Sequence, residues 1–295
     1  MHLLAYDIGG SHASAGIVDR ESLTIRCVSS RPIDSAGTAE SILNEVHLLG
    51  TDVLSQASRM GVLPDGIAFA VPGPFDYEQG VSRLRHKYAA LYDVNLRRAF
   101  ELRFEICGAR ITFLNDAQAF LLGECHAGAA RGVHRCVGIT LGTGVGSAFA
   151  LDGSIIEHGF GIPSGGEIYG LPWEGRTVED TVSTRAIQRR YRQITGEDKT
   201  VRDICFHAVE DPVAQSVMRE FGTSLGHVLG NICMPYRPEA IVLGGAISRS
   251  ADLFLTAAAD ALRESPQILR LSQLLDEAAL IGAALRCSEA LLSNA

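Results

Sequence analysis

Asp7 closes the apolar run Leu3–Ile8 and faces the glycine pair Gly9-Gly10. A carboxylate at the end of a buried strand is costly unless something compensates its charge. A hydrated magnesium ion bridging it to phosphate oxygens would do so, as in phosphoryl-transfer sites; a turn-capping aspartate is the plainer alternative. Glycine has no Cβ, so its amide can approach a phosphate closely. A second turn of this kind, Gly142-Thr143-Gly144, recurs later in the chain. Neither turn is a P-loop, since GxxxxGK[ST] is absent and no Gly-Lys pair occurs. Residues 142–147 are not GxGxxG either, because Ser147 ends the run, and they lead into a strand where a dinucleotide fold needs a helix. Each turn alone reads as an ordinary β-turn. As a matched pair, with Asp7 ahead of the first, they point to phosphate. Asp116 closes the strand Ile111–Leu114 and opens a helix. It is either the N-cap of that helix or a general base for a hydroxyl too weakly acidic to react unaided. The two phosphate turns in the same chain favour the base.

The elements that would position these groups follow from periodicity. The chain opens as a meander of short strands, Leu3–Ile8, Ala13–Val18 and Leu23–Val28. Residues 38–59 carry Ile42, Val46, Leu49 and Leu54 at helical spacing. Gly66–Val71 is a fully apolar strand stopped by Pro72-Gly73-Pro74, and a helix is expected over Asp116–His126. From Val137 the opening pattern returns: strand, glycine turn, strand, then a hairpin turn at Asp152-Gly153. Ten residues separate Gly9 from Asp19 and Gly142 from Asp152, a weak internal repeat. Two related lobes would each offer a glycine hairpin to one central cleft. Helices are expected over 178–192, 201–209, 213–234, 250–264 and 278–292, with an apolar strand Ala240–Leu243 ending in Gly244-Gly245. Gly222, Gly226 and Gly230 form a stripe on one helix. It serves close helix packing or the approach of backbone to a nucleotide base.

Composition bounds the function. The chain has 295 residues, 46% hydrophobic and 20% charged, enough for two ordinary domains with filled cores. Net charge is −8 with no basic stretch, which argues against a nucleic-acid partner. An anionic substrate must then be held by local devices. Of the 26 basic residues only Lys87 and Lys199 are lysines. Seven scattered cysteines without a CxxC pair fit reduced thiols in a cytoplasmic protein. The N-terminus reads as a first strand rather than a signal peptide, and no membrane span is expected.

YDIGGSHASAGIVD, GIAFAVPGPFD, ITFLNDAQAFLLGE, GITLGTGVGSAFALDG, GGEIYG and EAIVLGGAIS, in this order and at these separations, resemble the ROK family of sugar kinases and repressors. The likeness runs from residue 3 to about 285, nearly the whole chain. It implies an α/β, two-lobed actin-like ATPase (ribonuclease H-like) fold with a central cleft. The small N-terminal lobe would span 1–115, with the C-terminal helix of about 280–295 as a candidate to pack back on it, and the large lobe 116–279. It further implies a kinase using ATP and Mg²⁺ on a sugar hydroxyl, cytoplasmic and homodimeric. By resemblance, Asp7 serves Mg²⁺, through water, and Gly9, Gly10, Ser11 and His12 serve phosphate. Gly142, Thr143 and Gly144 form the second phosphate loop, and Gly244, Gly245 and Ala246 flank the adenosine. Asp116 becomes the catalytic base, Asn115 and Glu167 hold sugar hydroxyls, and Gly73 lies near the sugar.

Departures from the family pattern carry their own expectations. The stretch GEIYGLPWEGRTVED lacks the family's cysteines and has glycine where its histidine falls, so no structural zinc is expected. Lys87 stands where a sugar-binding asparagine is usual. It would contact an unusual or anionic sugar, pair with Glu167, or be a solvated loop lysine. His12 replaces a common phosphate-loop lysine, and His158, too far from Glu167 for the usual spacing, reads as a surface-loop residue. A repressor of this family would carry an added N-terminal DNA-binding segment, for which a strand starting at residue 3 leaves no room. A non-catalytic sugar sensor and a kinase of a non-sugar acceptor are the other rivals.

Overall fold

The computed structural model describes residues 1–10, 12–85, 87–263 and 268–293. Its contacts divide the chain into two units, Met1–Ala127 with Asp276–Ala295, and Gly128–Leu275. The sequence reading set the boundary at 115/116. The helix after Asn115 instead belongs with the first unit, because it packs there against the C-terminal helix.

The first unit is built on β1 (His2–Ile8), β2 (His12–Asp19), β3 (Ile25–Pro32), β4 (Gly66–Val71), a small ribbon of β5 (Phe75–Asp76) and β6 (Val81–Ser82), and β7 (Ile111–Asn115). The main sheet has five strands in the order β3-β2-β1-β4-β7. β1 runs antiparallel to β2 and parallel to β4, and β4 parallel to β7. Every residue of β4 is buried, as expected of an inner parallel strand covered on both faces. Side chains alternate along β1, so Leu4, Tyr6 and Ile8 enter the core shared with α1 (Ala39–Arg59) and α2 (Leu96–Phe104). Asp7 therefore points to the other face. That face carries α3 (Asp116–Ala127) and the C-terminal helix Ala278–Ser293.

Helix α1 forms because Ile42, Val46, Leu49 and Val53 recur on one face and are buried, while Thr38 caps its start by accepting the Ser41 amide at 3.2 Å. On the same side Tyr6, Phe100 and Phe113 each stack on Phe69 at 4.5–5.1 Å between ring centres. Each such buried aromatic contributes about 1.5–3 kcal/mol. On the opposite face, Gly282 meets α3 so closely that a Cβ there would lie 1.8 Å from the Ala119 carbonyl oxygen.

The second unit repeats the plan. Its strands are β8 (Arg135–Leu141), β9 (Val145–Leu151), β10 (Ser154–Ile156), the ribbon of β11 (Pro172–Trp173) and β12 (Arg176–Thr177), β13 (Ala240–Gly244) and β14 (Leu269–Leu271). The five-stranded order β10-β9-β8-β13-β14 matches that of the first sheet position for position. The weak spacing repeat in the sequence is thus a repeat of topology.

The expected helix over 178–192 is two, α4 (Val178–Thr181) and α5 (Thr184–Thr195). The break falls at Ser183, which is extended so that the Thr184 amide can reach the Gly142 carbonyl at 2.9 Å. After α6 (Val201–His207) comes α7 (Pro212–Val228), capped by Asp211. It passes into a wider turn over Leu229–Cys233 and then a tight one at Met234–Tyr236, where Pro235 cannot continue a helix. The expected helix over 250–264 is a tight-turn segment, Ala246–Leu253, followed by α8 (Leu255–Leu262). The glycine stripe serves packing: a Cβ on Gly222 would lie 2.3 Å from the Phe254 carbonyl oxygen, and one on Gly226 2.2 Å from that of Ala258. The C-terminal helix, α9, returns to the first unit.

Candidate active site

In the first unit β1, β4 and β7 lie side by side, with Asp7 opposite Ala70 and Val71 opposite Asn115. Their C-terminal ends bring Asp7, the Pro72-Gly73-Pro74 turn and Asn115-Asp116 to one edge of the sheet. Open α/β sheets bind ligands at that edge.

Asn115 holds the helix cap. Its Oδ1 accepts the amides of Ala117 at 3.0 Å and Gln118 at 3.2 Å, and its Nδ2 donates to Tyr77 Oη at 3.1 Å. Asp116 is relieved of that duty. Its Oδ1 takes the Ala117 amide at 2.8 Å, and among the described residues its other oxygen has no hydrogen-bond partner. Both Asp7 and Asp116 keep part of their surface exposed. Burial nonetheless raises the Asp116 carboxyl above the ordinary range, against the opposing pull of the Ala117 amide and the Lys87 ammonium. Asp7 is pushed up to about 7, first by burial and then by the charges of Asp116 and Asp276. A carboxylate crowded by two others could hold a cation through water.

The first glycine turn is closed by its own backbone, the Gly9 amide donating to the His12 carbonyl at 2.9 Å. The Gly10 amide is not used in this closure. His12 heads β2 with an exposed side chain, and Ser11 lies outside the described residues. Tyr88 ties a distant loop to the turn by donating its hydroxyl to the Gly9 carbonyl at 2.6 Å. Burial and then the Asp7 charge push that phenol up to about 12, so it remains a donor. The neighbouring Lys87 lies across Gly10, where a Cβ would be 2.7 Å from its Nζ. Lys87 is thus half-buried against the first glycine turn.

The second unit assembles the remaining candidates. The Gly142 amide closes its turn on the Gly144 carbonyl at 3.0 Å. The next amide, that of Val145, donates to Glu179 Oε2 at 3.2 Å, and the same carboxylate lies against Gly144, where a Cβ would stand 2.3 Å from that oxygen. Glu179 is also paired with Arg185 at 2.5 Å. Strand β13 runs beside β8, with Gly244 opposite Thr140. Gly245, at φ +83°, packs so tightly that a Cβ would stand 2.4 Å from the Leu141 carbonyl oxygen. Glycine is required there, and the contact sets Gly244-Gly245-Ala246 against the residue before the second glycine turn.

Glu167 follows the tight turn Ser164–Gly166 and is exposed. Buried Ser147 brackets it, donating to the Gly166 carbonyl at 2.6 Å and accepting the Ile168 amide at 3.0 Å. The Tyr169 phenol is raised by burial and then by Glu167 and Glu179, which places both carboxylates near one ring. His158 is exposed. Among the described residues no group of three His, Cys, Asp or Glu side chains is placed to hold a metal, and the zinc stretch of the family is here the short β11–β12 ribbon.

Sequence reasoning missed Tyr88, Ser147, Glu179 and Asp276. Ser147 stood in view as the residue that spoiled a nucleotide motif. The other three carry no local pattern; only the folded chain brings them to these turns.

A family model described as the ROK family matches residues 3–289. A beta-glucoside kinase of Klebsiella pneumoniae is 26% identical over 84% of this chain and 82% of its own length. The solved ROK hexokinase of Thermus thermophilus superposes with a TM-score of 0.78 at 25% identity, over 99% of this chain and 100% of that one. The ROK family glucokinase of Streptomyces griseus, solved in complex with glucose and AMPPNP, gives a TM-score of 0.78 at 24% identity, over 98% of this chain and 100% of that one. The mixed α/β architecture described above is the fold of these structures.

Proposed function

Because the chain belongs to the ROK family, we propose that it is an ATP-dependent sugar kinase, transferring the γ-phosphoryl group to a hydroxyl of a hexose or hexose derivative. The relatives support the class of reaction: they include a beta-glucoside kinase and a hexokinase. The observation that carries the mechanism is the division of labour at the start of α3. Asn115 satisfies the helix end, and Asp116 is left with an unengaged oxygen on the same strand-end edge as Asp7 and the first glycine turn.

In this reading the acceptor hydroxyl attacks the γ-phosphorus in line as the bond to the ADP oxygen breaks, and its proton passes to Asp116. Asn115, Gly73 and Glu167 orient the sugar. The amides after Gly9 and Gly142 hold phosphate oxygens, and Gly244-Gly245-Ala246 flanks the adenosine. Asp7 would hold magnesium through water, and the ion would supply charge neutralisation on those oxygens. Most of the catalytic effect is then positioning and electrostatics, with general-base help of about 10²–10⁴-fold. The same reading makes the protein a cytoplasmic homodimer. The sequence holds no CxxC pair among its seven scattered cysteines, which supports a reducing compartment.

The test is ADP release measured over neutral, amino and acidic sugars and non-sugar alcohols, with wild type and Asp116→Asn. A sugar-dependent rate is expected that falls at least about 10²-fold in the variant while nucleotide affinity holds. Failure to release ADP with every acceptor would leave a sugar sensor, release with non-sugar alcohols only would move the acceptor class, and a variant of near-normal turnover would remove Asp116 from the chemistry.

A further inference from the structure

The loop before Tyr88 carries one of the chain's two lysines, and the fold delivers it to the first phosphate turn. Tyr88 clamps that loop by its hydroxyl on the Gly9 carbonyl and by its amide on the Ser35 carbonyl at 3.1 Å. Lys87 then runs over Gly10, with Cδ, Cε and Nζ at 3.5, 3.3 and 2.7 Å from the place a Cβ would take. The side chain is half-buried, and among the described residues its ammonium has no hydrogen bond and no ion pair. Its electrostatic partner is the Asp116 carboxylate. The surroundings are otherwise acidic, since Asp116 and Asp276 both act on Asp7. A half-buried ammonium without a hydrogen-bonded anion is costly, and here it stands between the amide that would hold phosphate and the group that would take the proton.

We propose that Lys87 is a catalytic residue that holds the transferring phosphoryl group, with its ammonium on a non-bridging γ-oxygen. This rests on the kinase reading of the same site. As the bond from the γ-phosphorus to the ADP oxygen breaks and the bond to the acceptor oxygen forms, negative charge spreads over the non-bridging oxygens that Lys87 contacts. The acceptor's proton goes to Asp116. A cation fixed at that point strengthens its contact as the charge moves, so it acts on turnover more than on acceptor binding.

The test pairs kinetics with binding, using Lys87→Met, Lys87→Arg and Gly10→Ala, whose added Cβ would displace the ammonium. Lys87→Met should lower kcat on a neutral sugar about 10²–10³-fold with acceptor KM within about threefold, and Lys87→Arg should recover part of the loss. By calorimetry in Mg²⁺, Lys87→Met and Gly10→Ala should weaken AMPPNP about tenfold or more and leave ADP unchanged. Melting curves matching wild type establish that the variants are folded. Unchanged kcat, or an effect confined to the KM of acidic sugars, would overturn the proposal in favour of an acceptor-reading lysine. Equal weakening of ADP and AMPPNP would overturn it too, as would wild type binding neither. If wild type turns over no acceptor, the kinase reading fails. The difference between AMPPNP and ADP still decides whether Lys87 meets the γ-phosphate.

Discussion

Replacing Asp7 with asparagine should make the protein more stable and less able to bind magnesium nucleotide. The fold holds the Asp7 carboxyl at about 7 against an ordinary 3.8, by burial and by the charges of Asp116 and Asp276. Between these values the folded chain keeps a proton that the unfolded chain has lost. Stability therefore falls as pH rises through that window and stays reduced above it. About three pH units at about 1.4 kcal/mol each set an upper bound of about 4 kcal/mol. Asp7 retains some exposed surface, and water screening brings the working figure to about 2 kcal/mol. For units of this size that corresponds to roughly 4–8 °C. Melting temperatures of wild type and Asp7→Asn without divalent cations, at pH 5 and pH 8, measure it directly. The variant should melt higher at pH 8, with the gap narrowed but not closed at pH 5, which still lies above the ordinary 3.8, and its nucleotide affinity should lose its dependence on Mg²⁺. Equal melting at pH 8, or a gap that widens towards acid, would refute the account of Asp7 as a crowded carboxylate awaiting a cation.

Two further substitutions test the scaffold. Ser147→Ala removes both hydrogen bonds that bracket Glu167 and should cost about 1–3 kcal/mol while raising the KM for the acceptor more than that for nucleotide; an unchanged acceptor KM would detach Ser147 from the sugar side. Gly282→Val puts a side chain into the Ala119 carbonyl and should cost more than about 3 kcal/mol, read as a collapse of soluble yield or melting temperature, whereas melting within a degree or two of wild type would mean that α3 and α9 can part without loss.

What could be read in advance was what a periodic pattern or a glycine pair encodes locally. The strands ending in Asp7, Val71 and Leu243 stood out because inner parallel strands are continuously apolar, and α1 because its buried face recurs every three to four residues. The helix over 178–192 was misjudged because its break answers to a distant carbonyl at Gly142 rather than to any breaker in the segment. Strand β14 is three residues long and α2 is rich in arginine, so neither carries a usable period. In the site, Asp116 by position alone favoured a cap. Only the bonds from Ala117 and Gln118 to Asn115 separate the two roles. Asp276 and Glu179 were invisible because they reach their turns through tertiary packing.

The two sheets share strand order, and burial along β1 and β8 follows the same seven-residue pattern. The repeat therefore fixes corresponding strand ends, and the side chains there differ in one consistent way. Where the first unit has Asp7, two residues before its glycine turn, the second has Thr140; where the first has Asn115-Asp116 at the end of its last parallel strand, the pairing register puts Gln273-Leu274 in the second. The second unit offers only neutral groups and backbone amides at these ends, and its nearby carboxylate, Glu179, is paired with Arg185. An amide cradle binds polyphosphate without changing protonation, whereas proton acceptance and cation binding need ionisable oxygens whose pKa the fold can raise. On the proposed reading, charging only one copy of the repeated scaffold confines proton acceptance and cation binding to the first unit. On that logic Thr140→Asp, which would give the second unit its own strand-end carboxylate, should weaken nucleotide binding rather than improve metal binding.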